Sequence, residues 1–357
     1  MNHFPKIFLT AAIAVAVCSC SEKNGANIPV IDLATNVGCS NVGSLNDLFE
    51  VTEIVNPELT DSTLLKYADV RGERDNILYV QEGNRLLTFD ATTGKCVTSF
   101  DKSGQGPEDY VVLYFAFPSK TNGNWVSNDI RTGKIVSYTP DGRFVTSKDL
   151  GVSSGICPNG EGWATLKNAL DGEKLVIYLL DNDFNITDSV ATNQTSYYTQ
   201  AELLTPFNGY ASFKNNPGDT IFTLDSNNRF VPSVAISLGK YKHPIYSLDE
   251  SEKMWEDRHK YIYHDFIGLD NLGIIAYQFD EKVCLQIYSL ADNKLLYSFT
   301  TEKADFKGLP FMVNGEEKFL MPTSDSSGDA LYFCTMPDDD DADSNPTILK
   351  LVVKKQS

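Results

Sequence analysis

The segment Asn84–Tyr110, NRLLTFDATTGKCVTSFDKSGQGPEDY, reads as a strand, a tight turn, a returning strand and a Gly-rich loop. Arg85–Phe89 and Cys96–Phe100 are the two apolar runs, and Thr93-Gly94-Lys95 reverses the chain between them. Asp, Asn and Gly suit such reversals, because they tolerate φ > 0 or bond their own backbone. Just upstream, Ile77–Val80 is a further strand, closed by a turn at Glu82-Gly83-Asn84.

The same hairpin recurs along the chain. Ile135–Tyr138 meets Pro140-Asp141-Gly142-Arg143, Val176–Leu180 meets Asp181-Asn182-Asp183, and Thr220–Leu224 meets Asp225-Ser226-Asn227-Asn228. Leu285–Leu290 meets Ala291-Asp292-Asn293-Lys294. Short apolar runs between such turns are strand-and-turn patterning. Anchors at Phe89, Tyr138, Leu180, Leu224 and Leu290 are spaced by 49, 42, 44 and 66 residues. The first three spacings match one four-stranded propeller blade, about 40–50 residues. With Thr347–Val353 as a sixth unit, the pattern predicts a six-bladed all-β propeller of antiparallel four-stranded blades. An N-terminal strand, near Leu48–Ile54 or Leu64-Leu65, is expected to pair with Ile348–Val353 and close the ring, which removes exposed edges.

The long interval holds an insertion, Tyr246–His264. Ser247 followed by Glu250 is a capping-box pattern. Leu248, Met254 or Trp255, Arg258 and Ile262 then fall at helical spacing. A short amphipathic helix between blades is expected here, its apolar face packed on the blades; a partner-binding helix is the alternative.

The first residues point to an address. Lys6 precedes the apolar run Ile7–Val17, which is too short to span a bilayer and has the length of a secretory leader. Val17-Cys18-Ser19-Cys20 follows and resembles the lipobox of bacterial lipoproteins, in which the cysteine after the cut is lipidated. Cys20 fits better than Cys18, which has bulky Val17 before it. An ordinary secretory leader with incidental cysteines is the alternative. The expected organisation is a leader over 1–19, a lipidated N-terminus and tether over 20–44, and the propeller over 45–357.

The Gly104-Gln105-Gly106-Pro107-Glu108-Asp109-Tyr110 loop, placed after a strand–turn–strand, resembles the GxGPxEY-type loop of a family of six-bladed β-propeller lipoproteins from Bacteroides-like bacteria, also described as TolB-like or NHL-like. Asp109 departs from the usual pattern, which has Gly then Glu before the aromatic. Gly218–Leu224 with Ile236–Gly239, and the terminal Asn345–Leu349, are similar to the family as well. The resemblance implies this fold and a cell-envelope location, with a lipid anchor in the outer membrane. It implies no reaction and no catalytic motif.

A net charge of −18 argues against nucleic acid, which demands a basic face, and against electrostatic adhesion to anionic membranes. An acidic surface serving solubility is the plainest reading; attraction of basic ligands is a weaker one. Cys39, Cys96, Cys157, Cys284 and Cys334 remain after the leader and anchor. Their number is odd and they form no CxxC cluster, so buried thiols are expected, with one disulfide as the alternative.

Chemistry-bearing candidates are sparse. Gly104 and Gly106 could offer N–H groups to an anion, but no GxGxxG or GK[ST] accompanies them, so a blade connector is expected. Asp338–Asp341 with Asp343 is an acidic run without EF-hand spacing. His243, His259 and His264 show no zinc pattern. Glu161, Asp171, Asp129 and Arg131 are the residues that could converge on one face in a propeller enzyme. Trp125 and Trp163 are expected in the inter-blade core rather than as sugar platforms. The reading is therefore a binding or scaffolding module for a glycan, peptide or envelope protein, with no cofactor or metal implied. A propeller hydrolase or lyase acting on carbohydrate or peptide is the alternative.

Overall fold

The computed structural model describes residues 28–40, 42–66, 68–151, 155–167, 173–195, 204–214, 219–225, 227–244, 250–323, 330–335 and 344–355. They form six small sheets. Blade 1 is built from Asp69–Arg74, Ile77–Glu82, Arg85–Asp90 and Cys96–Phe100. Blade 2 uses Leu113–Pro118, Trp125–Asp129, Lys134–Tyr138 and Phe144–Asp149. Blade 3 follows with Ile156–Asn159, Gly162–Leu166, Lys174–Leu180 and Ile186–Thr195. Blade 4 comprises Leu204–Phe207, Tyr210–Phe213, Thr220–Leu224 and Phe230–Ser237. Blade 5 comprises Tyr263–Leu269, Leu272–Phe279, Lys282–Ser289 and Leu295–Glu302. Blade 6 comprises Leu309–Val313, Glu316–Pro322, Leu331–Thr335 and Thr347–Val353.

Within each blade the strands pair antiparallel in chain order. First strands of successive blades lie against one another, as in blades 1 and 2 and in blades 4 and 5, so they form the inner wall. The ring therefore has two faces. One carries the turns between third and fourth strands, and we call it the hairpin face. The other carries the turns between second and third strands and the blade-to-blade links, and we call it the connector face.

The recurring hairpins of the sequence are the outer pair of each blade. One residue in each turn adopts φ > 0: Gly94 at +70°, Gly142 at +81°, Phe184 at +59°, Asn228 at +57° and Asn293 at +59°. The preceding acid cages the turn. Asp181 Oδ1 accepts the N–H groups of Asp183 and Asn185, and Asp225 Oδ1 those of Asn227 and Arg229. Phe184 is the exception to turn chemistry, since αL is a strained region for a bulky residue. Its ring is 1% exposed in the seam between blades 2 and 3, beside Phe117, Val126 and Trp163. Burial of that ring, worth about 2–3 kcal/mol, offsets the backbone cost.

Two sheets have a fifth strand. Phe49–Val55 pairs antiparallel with Thr347–Val353, with Val51 opposite Leu351, and closes the ring as expected. The other fifth strand was not expected. Val30–Asp32 lies parallel to the outer strand of blade 4, with Val30 opposite Ala235. Between them the chain runs along the outer strand of blade 5, where Val42 O accepts Ser298 N–H and Cys39 O accepts the Ser298 and Thr300 hydroxyls. Beyond Val55 it continues over blade 1, where Glu58 N–H donates to Gly94 O and Ser62 O accepts the Ser99 hydroxyl. Asn345 fastens this last stretch: its side chain accepts Leu65 N–H and donates to the backbone oxygens of Glu58 and Thr63.

Residues 28–40 and 42–66 thus form a belt over the outer edges of blades 4, 5, 6 and 1. The folded unit takes in residues 28–40 and 42–44, upstream of the propeller boundary expected at residue 45. Edge strands are templates for unwanted pairing, and covering them is a known remedy.

The insertion between blades 4 and 5 contains a helix at Ser251–Asp257 and a 3₁₀ turn at Arg258–Lys260. The helix is shorter than the sequence pattern suggested. Ile262 is buried between blades 4 and 5, and His264 already belongs to the first strand of blade 5. Ser247, Leu248 and the side chains of Met254, Trp255 and Arg258 lie outside the described residues. No helix among the described residues is long and apolar enough to cross a membrane.

Candidate functional site

The Gly-rich loop is a seam between blades 1 and 2. Tyr110 is fully buried; its hydroxyl donates to Asn84 O at 2.6 Å and accepts Lys102 N–H at 2.9 Å. Gly104 N–H donates to Tyr110 O and Gly106 N–H to Asp109 Oδ2. Both N–H groups are consumed inside the loop, so neither is presented to an anion. The glycines are required for space rather than for φ > 0: a Cβ would stand 2.3 Å (Gly104) or 2.7 Å (Gly106) from Asp109 Oδ2. Asp109, the departure from the family pattern, is the acceptor that folds the loop onto itself.

Asp129 is a second knot in the same seam. It is fully buried and accepts Val111 N–H, Val112 N–H, Arg131 N–H and the Thr132 hydroxyl. Burial raises its pKa, but these hydrogen bonds outweigh it and hold the carboxyl below its ordinary value. Every polar approach to Asp129 is taken, so it positions the chain instead of meeting a substrate. Arg131 is exposed in the turn between second and third strands of blade 2, on the connector face, whereas Glu161 sits in the turn between first and second strands of blade 3, on the opposite face. The three candidates among the described residues therefore do not converge. Asp171, Asp338–Asp341, Asp343 and Cys20 lie outside the described residues.

Trp125 and Trp163 are buried in the seams of blades 1–2 and 2–3 as expected. All five described cysteines are free thiols, and Cys157, Cys284 and Cys334 are buried. No group of three or more His, Cys, Asp or Glu side chains placed to hold a metal occurs among the described residues.

A cleft of about 740 Å³ opens on the connector face of blade 5. Its walls come from four places. The insertion contributes His259 and Tyr261; the first strand contributes Tyr263 and Asp265. The turn between second and third strands contributes Asp280 and Glu281, with Gln278 before them and Lys303 from the link to blade 6. The insertion is pinned to the blade by a ring pair: the Tyr263 hydroxyl bonds His243 Nε2, while His243 Nδ1 bonds Pro244 O at 2.6 Å. Tyr261 packs edge-on to the same imidazole at 5.3 Å. Burial lowers the pKa of His243 and favours the neutral ring, partly opposed by the Pro244 hydrogen bond, which favours the charged one.

Asp280 and Glu281 both have φ > 0, at +52° and +58°. The two-residue hairpin between the paired Phe279 and Lys282 imposes that conformation on both positions, and Glu is a poor residue for it. Neither carboxylate has an ion-pair partner among the described residues. Asp265 differs. It lies in the field of Lys214, a buried ammonium that donates to the backbone oxygen of His264. Burial lowers the Lys214 pKa to about 8 against the raising effect of Asp265. His264 itself is buried, its Nε2 has no hydrogen-bond partner among the described residues, and burial and Lys214 together push its pKa far down.

No spacing rule announces this site. Its residues come from separate connectors, and the aromatic alternation Tyr261-Ile262-Tyr263 was the one local signal available.

Six sheets in a closed ring, inner walls in contact and one recessed cleft on the connector face, define a six-bladed β-propeller. The chain belongs to the DUF4934 family, a domain of unknown function, whose model matches residues 28–354. Two solved structures are similar in fold. One is a protein of Bacteroides fragilis NCTC 9343 provisionally named as exported, 17% identical, with a TM-score of 0.64 over 88% of this chain and 98% of that one. The other is a DUF4221 family member of Bacteroides vulgatus ATCC 8482, 9% identical, with a TM-score of 0.52 over 87% and 99%. No curated protein matches the sequence.

Proposed function

We propose that this propeller is an extracytoplasmic binding module, lipid-anchored through Cys20 after removal of residues 1–19, and that the blade 5 cleft is its docking site for a glycan, peptide or envelope protein. The observation that carries the reading is the placement of the cleft relative to the first described residues. Val30 N–H bonds Asn293 Oδ1 in an outer hairpin turn of blade 5, so the chain reaches the ring at the hairpin face. The cleft opens on the opposite face. A tether joined at Pro29 leaves the cleft pointing away from the anchored side. The exported B. fragilis relative of the same fold supports the extracytoplasmic address.

The test is capture of envelope components by the native lipoprotein, compared with a Tyr261→Ala/Tyr263→Ala variant. Loss of specific partners in the variant is the expected result. Equal capture by both proteins would remove the cleft from the binding role, and a Cys20→Ala protein that still partitions with membranes would remove the anchor.

A further inference from the structure

The chemistry of the cleft narrows what it holds. Three carboxylates line it, Asp265, Asp280 and Glu281, against one lysine, Lys303. Asp265 lies in the field of Lys214; Asp280 and Glu281 are exposed and have no ion-pair partner among the described residues. Lys303 is close by, since its backbone N–H donates to Glu281 O, yet its ammonium pairs with neither carboxylate. Tyr261 and Tyr263 are half-buried and add aromatic surface to the same walls.

We propose that the blade 5 cleft takes a basic peptide segment of a partner protein, seating lysine or arginine side chains against Tyr261 and Tyr263 with their charges at Asp280 and Glu281. The inference rests on the cleft being the docking site. Unpaired carboxylates beside aromatic faces form a site for a cation, because ring faces attract cations and the acid supplies the counter-charge. The stems of Lys and Arg are apolar and cover aromatic surface while their heads stay polar. A volume of about 740 Å³ exceeds the needs of one ammonium group and falls in the range of pockets that enclose a whole ligand. The field of a chain with net charge −18 draws such a segment in and repels acidic ones. A neutral glycan also stacks on tyrosine, but it leaves both carboxylates without a counter-charge.

The experiment uses the full folded chain and four labelled probes: an Arg/Lys hexapeptide, its Glu counterpart, spermidine and a neutral hexasaccharide. Binding of the basic peptide is expected, weakened tenfold or more in Asp280→Asn/Glu281→Gln and in Tyr261→Ala/Tyr263→Ala. Glu161→Gln, on the far face, leaves it unchanged. Raising salt weakens wild-type binding as well, a readout that needs no variant. Equal binding of the acidic peptide, salt-independent binding, or spermidine binding as tightly as the peptide overturns the proposal. Hexasaccharide binding that depends on Tyr263 and ignores the carboxylates overturns it while leaving the docking role intact. Binding of no probe overturns it, and partner capture untouched by the tyrosine variant would overturn the docking role too.

Discussion

The Tyr110 hydroxyl donates to the backbone oxygen of Asn84, joining the end of the Gly-rich loop to a turn of the preceding blade. Asn84 answers with its own side chain, which accepts Leu113 N–H and donates to Val111 O. The pair therefore fixes the angle at which blade 2 leaves blade 1. Tyr110→Phe keeps the ring and strands Lys102 N–H and Asn84 O inside the seam. A loss of about 1–3 kcal/mol is expected, read by denaturant unfolding; a loss below about 0.3 kcal/mol would show that water repairs the seam.

Gly94 is bound by both conformation and space. It has φ +70°, and a Cβ there would stand 1.9 Å from Asn56 O, on the belt. Gly94→Ala should cost at least about 1–3 kcal/mol and detach the belt from blade 1. Hydrogen exchange at Glu58 N–H, which bonds Gly94 O, would rise well before exchange at the blade core. Unchanged protection at Glu58 would contradict this account.

Phe184 and Asn228 occupy equivalent αL positions in neighbouring blades, one buried and one exposed. Phe184→Ala should destabilise by about 3–5 kcal/mol, the usual cost of emptying a large aromatic site. Asn228→Gly should stay within about 0.5 kcal/mol. Similar values for the two would mean that the turn, not the seam, governs both positions.

Asp225 predicts an acid-side effect. Hydrogen bonds from the Arg229 guanidinium and from backbone N–H groups hold its pKa down at about 2, below the unfolded value of about 3.9. A depressed folded pKa contributes stability above the unfolded value, and that contribution is lost as pH falls from about 4 towards 2. Stability of wild type relative to Asp225→Asn, measured by denaturant midpoints, should therefore shrink over that window. A gap constant with pH would exclude the carboxylate as its cause.

The outer hairpins were legible because Asp, Asn and Gly crowd the turns where φ becomes positive, Phe184 being the exception, and blade spacing repeats that pattern. Inner strands were not, since Leu204–Phe207 and Ile156–Asn159 are four residues long and each contains a proline. Val30–Asp32 carries only two apolar side chains and finds its partner at Ala235–Ser237, a pairing that no local pattern encodes. The Gly-rich loop was legible as a connector, but the reason for its glycines was not: Asp109 fills the space. The cleft stayed hidden because its lining comes from segments far apart in sequence, from His259 to Lys303, which only the folded blade brings together.

The belt also sets an order of events. It leaves the ribosome before any blade, yet Val30–Asp32 has nothing to pair with until blade 4 exists, and Phe49–Val55 waits for the outer strand of blade 6. Such sequence-distant pairing slows folding and leaves strand edges open meanwhile. The segment that precedes the blades is thus the one that latches last, and a chain halted before Thr347 would hold five complete blades and three strands of the sixth, with nothing for Phe49–Val55 to pair with.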